Sequence, residues 1–418
     1  MTISLERTAI AHQNAAQPPE TNALLERFAP VFEAIAATAI ASEATRTLAH
    51  EAVDLLKSSG FTALRVPVEF GGAGATLGQS LRLLRELGAA DSNLVQALRA
   101  HFTTVETLVS GTDSAARERW LPRVVAGEVF GNATTEKGNK PGTNSTLITR
   151  DAGRTLLNGT KYYSTGSLYA DWIKVSADTA EGQSVRVSVH RNDPGVELVD
   201  DWDGFGQRLT ASGTTRFTNV EVSPENIDAT GGVEGVGFGA AYVQGILLVA
   251  LGGIASAVRR DAIDYVRGRE RAFSHGVGDS PQRDPLVQEV VGRISSTVFA
   301  IESVLETVGS RIQDAAASSA AGELDAAAAA ELDTVLSEAQ IFVVEQTLDV
   351  ANRLFEVGGA SAASETRGLD RHWRNARVLG QHNPVIYRAR AVGQQRLTGD
   401  HLTTPIYVGA TTPDGAAE

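Results

Sequence analysis

The sequence predicts an α+β protein in which a helical domain, a β domain and a helical bundle follow one another along the chain. Residues 21–128 and 231–402 carry apolar side chains three and four positions apart, the spacing of amphipathic helices. Residues 129–230 instead contain short β-branched and aromatic runs separated by Asn, Asp, Gly and Pro. Because strands and helices do not alternate, this order argues against Rossmann and TIM-barrel folds.

The composition narrows the class of protein. The 418 residues carry 37 Lys+Arg against 50 Asp+Glu, a net charge of -13, which disfavours a nucleic-acid binder. The chain has no cysteine, so thiol nucleophiles, cysteine-ligated zinc and iron–sulfur clusters are excluded. The most apolar run, residues 245–258, is shorter than the roughly 20 residues that span a membrane. We therefore expect a soluble cytoplasmic protein that binds neither nucleic acid nor membranes.

The first helical domain follows a polar segment. Residues 1–20 show no periodicity and contain Pro18 and Pro19, so we expect a flexible arm. Leu24, Phe28 and Phe32 then mark the apolar face of a helix, and a second helical stretch runs through residues 80–109. We place the N-terminal helical domain at residues 21–128.

The β domain and the bundle occupy the rest of the chain. Runs such as TLLNGTKYYSTGS, DWIKVSA and SVRVSVHR predict strands within residues 129–230. Long helices fill residues 231–402, and we interpret the Ala-rich segment 315–333 as a solvated connection between two of them. Residues 403–418 form a tail.

Common site motifs are missing. The glycine clusters that begin at Gly71 and Gly231 lack the GxGxxG spacing of a dinucleotide-binding turn, so we interpret them as turns. The eight histidines form no HExxH motif and no close pair, so we predict no metal site. There is also no GxSxG nucleophile elbow.

Five segments carry a family resemblance. They are RAHF (99–102), FGNATTEKGNKPGT (130–143), GTKYYSTGSLYADW (159–172), DDWDGFGQRLTASGT (200–214) and LDRHWRNARVLGQHNP (369–384). In this order the chain resembles the acyl-CoA dehydrogenase superfamily, and more specifically its flavin-dependent monooxygenase branch, which includes SfnB-type sulfur acquisition oxidoreductases and dibenzothiophene monooxygenases. The resemblance implies an N-terminal helical domain, a central β domain and a C-terminal four-helix bundle, assembled as a homotetramer that is a dimer of dimers.

Two segments are candidates for flavin binding. Small polar residues in FGNATTE suit the edge of a heteroaromatic ring, although they could simply close a turn. The resemblance places Asn132, Thr134 and Thr135 against the flavin. Tyr163 and Thr165 share one face of a predicted strand. The resemblance puts this face beside the flavin, with the Thr165 hydroxyl near the reactive N5/C4a edge.

Arginines are candidates for the flavin phosphate. Arg371 and Arg374 lie three residues apart and so share a helical face, which could equally be a solvated surface. Arg271 matches the family arginine that reaches a flavin phosphate across a subunit interface. A guanidinium suits this role because it can hold two phosphate oxygens at once.

The carboxylate of a dehydrogenase is missing from its two family positions. An acyl-CoA dehydrogenase needs a glutamate base to remove an α-proton. Alignment places His382 and Asn383 at one family position for this base and Gly245 at the other. A relocated base, at Glu356 or Glu365, remains the alternative.

Histidines and aromatic residues are candidates for the substrate side. The resemblance places His382 beside the oxygen bound to the flavin and His101 on the substrate side. Phe102, Trp202 and Asn383 would then line the substrate pocket. Each histidine could instead be a hydrogen-bonded structural side chain, and Trp202 could belong to the core.

The resemblance implies a two-component monooxygenase. Reduced FMN, delivered by an NAD(P)H-dependent flavin reductase, would react with O2 to give a C4a-(hydro)peroxyflavin that oxygenates a small molecule, with an organosulfur compound favoured. FAD as the flavin, and N- or aromatic C-hydroxylation as the reaction, stay open. So do an acyl-CoA dehydrogenase with a relocated base and a non-enzymatic flavin-binding protein.

Overall fold

The computed structural model describes residues 18–137, 144–228 and 237–399. The predicted tail and nearly all of the predicted arm lie outside these ranges. Within the first described range, residues 18–137, the chain forms five α-helices before the sheet. They are α1 (Thr21–Thr45), α2 (His50–Ser58), α3 (Leu77–Ala97), α4 (Arg99–Ser110) and α5 (Ser114–Val125).

Local sequence explains how these helices begin and bend. On α1, Leu24, Phe28 and Ile35 are buried on one face. Thr76 accepts a hydrogen bond from the backbone of Gln79, whose side chain bonds back to Thr76, and this capping box starts α3. Asp91 has extended backbone angles (φ -153°, ψ 109°) and kinks α3, so its last turns lead directly into α4.

The middle of the chain forms one mixed sheet. In the described residues the strand order is β6-β7-β3-β2-β4-β5-β8, and β1 pairs in parallel with β4. The β2 and β4 pair is also parallel, whereas the other neighbours are antiparallel. The strands are β1 (Phe130–Ala133), β2 (Leu147–Asp151), β3 (Arg154–Lys161), β4 (Trp172–Thr179), β5 (Ser184–His190), β6 (Val196–Val199), β7 (Thr214–Glu221) and β8 (Ile227–Asp228).

Alternation along β4 gives the sheet two different faces. Ile173, Val175 and Ala177 point into an apolar cluster of the β domain. Lys174, between the first two, therefore points to the other side. Asn132 lies opposite Lys174 in the β1–β4 register, so both residues belong to this polar face.

In the part of the chain that the structure describes, five more α-helices follow the sheet and form the bundle with its flanking segments. α6 is long and apolar enough to span a membrane by length and composition, but 89% of its most apolar window is buried inside the fold. It is therefore the central helix of the core. The predicted solvated connection at 315–333 is mostly helical, and only residues 321–325 separate α7 from α8. The helices are α6 (Gly239–Arg267), α7 (Pro285–Ala320), α8 (Ala326–Arg353), α9 (Asp370–Gly380) and α10 (Val385–Thr398).

Two glycines let α3 lie directly on α6. A Cβ atom built on Gly253 would lie 2.6 Å from the Arg85 carbonyl oxygen and 2.6 Å from the Cα of Gly88. Real side chains do not approach backbone this closely, so position 253 admits only hydrogen as its side chain at this spacing. The helical domain and the bundle are thus joined by backbone-to-backbone contact.

Candidate active site

A cleft opens between α4, the polar face of the sheet, the start of α6 and the turn between α9 and α10. Its volume is about 320 Å³, within the range of small-molecule sites. Six of the residues that the sequence singled out line it together, namely Asn132, Thr134, Thr135, Thr165, His382 and Asn383.

Hydrogen bonds fix the polar groups of this lining. The Thr134 hydroxyl donates to Asn132 Oδ1 (2.7 Å), and the Asn132 backbone N–H donates to the Thr165 carbonyl oxygen (3.0 Å). The Asn383 amide donates to Gln244 Oε1 (2.7 Å), which ties the α9–α10 turn to α6. The cleft therefore presents an ordered set of amide and hydroxyl groups.

A chain of hydroxyls runs inward from Thr165. Thr165 Oγ1 lies 2.9 Å from Ser212 Oγ, which lies 2.7 Å from Thr210 Oγ1. Thr210 in turn donates to the Gln207 carbonyl oxygen (2.9 Å). Since each hydroxyl can donate one bond and accept others, this chain sets the orientation of the Thr165 hydroxyl at the cleft.

His382 is paired with a cation. Arg99, the first residue of α4, donates to His382 Nε2 at 2.8 Å. His382 borders the open cleft, but the cleft walls remove much of the water around its ring; this partial burial, and secondly the Arg99 charge, lower the pKa of His382 to about 3. The imidazole is consequently neutral at physiological pH, with Nε2 accepting and the proton on Nδ1. A histidine that titrates near neutral pH can both donate and accept a proton, and His382 does not titrate there.

The structure corrects the assignment of His101 to the substrate side. The His101 ring is fully buried, donates to the Thr62 carbonyl oxygen (2.8 Å) and accepts from the Phe130 backbone N–H (3.4 Å). Burial lowers its pKa to about 4. Phe102 is also fully buried and contacts Phe61 edge to face in the core. Neither His101 nor Phe102 lines the cleft.

Tyr163 and Trp202 also lie away from the cleft lining. Their rings meet edge to face at 6.0 Å between centroids, and Trp202 Nε1 donates to the Gln207 carbonyl oxygen (3.0 Å). The Tyr163 backbone is left-handed (φ 57°), so Tyr163 departs from the extended strand geometry on which its predicted shared face with Thr165 depended, and its ring is 45% exposed. Trp202 is thus a packing partner of Tyr163 and not a wall of this cleft.

The predicted phosphate-binding arginines of α9 are engaged in ion pairs within the chain. Arg371 binds Asp261 (2.7 Å), and Arg374 binds both Glu43 (2.9 Å) and Asp370. These contacts tie α9 to α1 and α6, and neither arginine lines the cleft. The sequence could not show these bonds, because Glu43 and Asp261 are remote along the chain.

Arg271 is exposed after the end of α6 and does not line the cleft of its own chain. The proposed contact with a flavin phosphate in a neighbouring subunit stays a prediction.

Neither family position for a base offers a carboxylate to the cleft. A Cβ on Gly245 would meet the Ile312 and Leu81 side chains, so this position faces the core and has no room for a glutamate. Glu356 and Glu365 are exposed and lie outside the cleft lining. The one carboxylate in the described lining is Asp228, which lies opposite Arg186 in the pairing of β8 with β5.

Sequence reasoning missed the cations of the cleft. Arg99, Lys174 and Arg186 all line it. The signal was present in the strand runs WIKVSA and SVRVSV, because a charged residue between β-branched neighbours points away from the apolar face. Arg186 is held by Thr134 (3.0 Å) and by Ser176.

The cleft suits a polar heteroaromatic ligand. Gln96 Oε1 lies buried in the lining without a hydrogen-bond partner, although buried acceptors are nearly always satisfied. A ring with N–H groups would supply the missing donor, and the Asn132, Thr134 and Thr165 groups would complement its carbonyl and nitrogen atoms. The donor set therefore fits the edge of an isoalloxazine.

Most of the chain matches one family of known proteins. Family models for the acyl-CoA dehydrogenase N-terminal, middle and C-terminal domains match residues 19–128, 131–220 and 245–386. The chain belongs to the acyl-CoA dehydrogenase superfamily, as the sequence predicted. Within that superfamily it is an oxidoreductase similar to members of the flavin-dependent monooxygenase branch.

Three relatives illustrate this similarity. A probable FMNH2-dependent monooxygenase, SfnC of Pseudomonas putida, is 27% identical over 85% of this chain and 89% of its own. A dibenzothiophene monooxygenase of Mycolicibacterium goodii is 28% identical over 81% and 85%. The crystal structure of FMN-bound TdsC from Paenibacillus sp. A11-2 superposes with a TM-score of 0.85 at 25% identity, covering 92% of this chain and 99% of that one.

Proposed function

We propose that the protein is the oxygenase of a two-component system. It takes reduced FMN from a separate NAD(P)H-dependent flavin reductase in the cytoplasm and uses O2 to oxygenate a small organosulfur compound. Relatives that are FMNH2-dependent or act on dibenzothiophene support both the cofactor and the substrate class.

The observation that carries this proposal is the chemistry at the α9–α10 turn. His382 and Asn383 line the cleft and stand where alignment to the family puts a dehydrogenase base, and the His382 ring is held neutral beside Arg99. A histidine with so low a pKa is a poor acceptor for a proton from carbon, but its Nδ1–H can donate a hydrogen bond. The cleft thus favours hydrogen bonding to oxygen over removal of an α-proton.

Different residues of the cleft would bind different parts of FMN and the reduced oxygen. Asn132, Thr134 and Thr135 would hold the pyrimidine side of FMN, and Thr165, oriented by Ser212, would bond its central ring. When bound, reduced FMN supplies the electrons that activate O2. His382, neutral and with Nε2 taken by Arg99, would hold its proton at Nδ1 and donate a hydrogen bond from there to the reduced oxygen.

The apolar parts of the cleft would limit the entry of water. Leu108 on α4 and Val243 and Ala240 on α6 belong to the same lining as His382. Excluding bulk water near the proton donor would suppress loss of reduced oxygen as hydrogen peroxide. Product yield per reduced FMN should therefore depend on His382.

The test combines the protein with a flavin reductase, NADH, FMN and dibenzothiophene as probe substrate. We expect one atom of labelled O2 in the product, and His382→Ala should give less product and more hydrogen peroxide per NADH. His50→Ala, a change at a histidine of α2 outside the cleft lining, is the matched control. Failure to incorporate label with sulfur-containing or amine probes would overturn the proposal.

The amine probes matter because L-evernosamine nitrososynthase from Micromonospora is 26% identical over 91% of this chain. If labelled oxygen is incorporated only into the amine probes, the proposed reaction changes from sulfur oxygenation to nitrogen oxygenation.

Asp228 favours one other candidate, an acyl-CoA dehydrogenase with a relocated base. It is the carboxylate in the described lining, and a putative acyl-CoA dehydrogenase of Bacillus subtilis, YdbM, is 24% identical over 87% of this chain. This candidate requires octanoyl-CoA to bleach the enzyme-bound flavin without oxygen, and Asp228→Asn to abolish the bleaching. We expect no bleaching in either protein.

We also propose a homotetramer, arranged as a dimer of dimers. Large apolar side chains lie exposed on the bundle side, among them Phe273 (63%), Phe299 (68%) and Ile386 (71%). Exposed large apolar side chains of this kind are candidates for contacts between subunits. Light scattering after size exclusion should give four times the 44.0 kDa chain mass, and a monomer would contradict the assembly.

A further inference from the structure

Positive charge is concentrated in the cleft. Arg99, Lys174 and Arg186 line its described part against one carboxylate, Asp228, although the whole chain carries a net charge of -13. Such a local reversal of sign attracts and orients anions.

Lys174 differs from the two arginines. Arg99 is bonded to His382, and Arg186 is bonded to Thr134. The Lys174 ammonium forms no hydrogen bond and no ion pair with any residue in the described ranges, although the side chain is half-buried. A cation in this position gains free energy when an anion supplies the missing contacts.

The surroundings of Lys174 keep the ammonium charged but weakly solvated. Burial lowers the pKa of Lys174 to about 8, Asp228 opposes this effect, and Arg186 and Arg119 add to it. At pH 7 the side chain is therefore mainly protonated. A charged group held in this state binds an opposite charge more strongly than a lysine in open solvent does.

We propose that Lys174 is the binding site for an acidic group of the substrate, so that the substrate is an anionic organosulfur compound such as a sulfinate, sulfonate or thioether carboxylate. The identity of this anion as a substrate rests on the proposed function. Binding of the anion at Lys174 does not.

Two probes that differ mainly in charge test the proposal. Benzenesulfinate and methyl phenyl sulfone share a phenyl ring and two sulfur-bound oxygens, but only the first is an anion at neutral pH. Calorimetry on the FMN-saturated protein would measure both dissociation constants. The variants are Lys174→Gln, which removes the charge, and Lys174→Arg, which keeps it. Arg154→Gln, at an exposed position of the β2–β3 hairpin, is the matched control for loss of one positive charge.

We expect Lys174→Gln to weaken benzenesulfinate binding about tenfold, which corresponds to about 1.4 kcal/mol, and to leave sulfone binding unchanged. Lys174→Arg and Arg154→Gln should bind like the wild type. Wild-type affinity for benzenesulfinate should also fall as the pH rises through about 8, whereas Lys174→Arg should show no such fall. Arg99, with a pKa of about 10, and His382, with a pKa of about 3, do not titrate between pH 7 and 9.

Two results would overturn the proposal. In the first, Lys174→Gln weakens both probes equally, which would mean that the side chain only shapes the cleft. In the second, the variant weakens binding of FMN but not of riboflavin, which would assign the lysine to the cofactor phosphate. Because binding is measured without turnover, selective sulfinate binding in a protein that oxygenates nothing would reject the proposed function alone.

Discussion

Arg99 should control the protonation of His382. The guanidinium lies 2.8 Å from Nε2, the atom that must take up the proton when the ring becomes charged. Protonation would replace a hydrogen bond with repulsion between two cations. Removing the guanidinium in Arg99→Gln should therefore raise the pKa of His382 above its value of about 3.

The size of the expected rise in the pKa of His382 follows from the distance between the two charges and from screening by solvent. Two unit charges about 4 Å apart interact with about 4 kcal/mol near a protein surface. The ring of His382 is accessible from the open cleft, so screening by water and salt reduces this to about 2 kcal/mol. We thus expect the pKa of His382 to rise by about 1.5 in Arg99→Gln. Burial remains the larger cause, so the value should stay below that of free histidine.

The assay is NMR of protein labelled with carbon-13 at the histidine ring. The chain has eight histidines, and His382→Gln identifies the resonance in question. The His382 signal should titrate between pH 4 and 5 in Arg99→Gln, whereas wild type and Arg99→Lys should show no titration in that range. A wild-type signal that titrates near pH 6.5, or identical curves in all three proteins, would refute the reasoning.

Three further changes probe other parts of the structure. Because the pKa of buried His101 is about 4 in the folded protein and about 6.5 in the unfolded chain, protonation favours unfolding, so stability should fall by about 2 kcal/mol from pH 7.5 to pH 5. His101→Gln should flatten this dependence in urea unfolding, and an unchanged slope would contradict the neutral ring. Lys161→Met should destabilise the protein by about 3–5 kcal/mol, because the Glu136 carboxylate loses the buried ammonium that lies 2.6 Å from it. Calorimetry would show a lower Tm for this variant, and restoration by a second change, Glu136→Gln, would confirm the cause. Ser212→Ala should weaken FMN binding about fivefold by releasing the Thr165 hydroxyl, whereas Ser212→Thr should not, as measured by flavin fluorescence. Equal affinities in the two Ser212 variants would separate this hydroxyl from cofactor binding.

The sequence predicted the family and the fold, because order and periodicity of segments are properties that a single chain displays. It also selected Asn132, Thr165 and His382, which line one cleft, since their segments matched the family in order. The prediction that His101 lies on the substrate side was wrong, and the spacing of residues along α4 already indicated this. Arg99 and Thr103 lie one turn apart on the cleft side of α4, and the intervening His101 falls on the core side.

Other features were beyond the reach of sequence reasoning. Arg374 has a local partner in Asp370, but Asp261 and Glu43, which bind Arg371 and Arg374 from other helices, lie more than 100 residues away. The spacing of the two arginines therefore suggested a phosphate-binding or solvated stripe and not these ion pairs. Likewise the low pKa of His382 depends first on burial among the cleft walls and secondly on Arg99, which precedes it by 283 positions. Both depend on how separate segments pack, and spacing within one segment does not encode that.

The contact between Gly88 and Gly253 has a consequence for how this enzyme could diversify. α3 leads into α4, which forms one wall of the cleft, and α6 supplies the opposite wall. A methyl group added at position 253 would clash with backbone atoms of α3, and backbone atoms cannot move aside by changing rotamer. The substitution would therefore push the two helices apart. A substitution at position 253, which touches no ligand, could therefore change which molecules fit in the cleft. A mutational search limited to residues that line the cleft would miss this position.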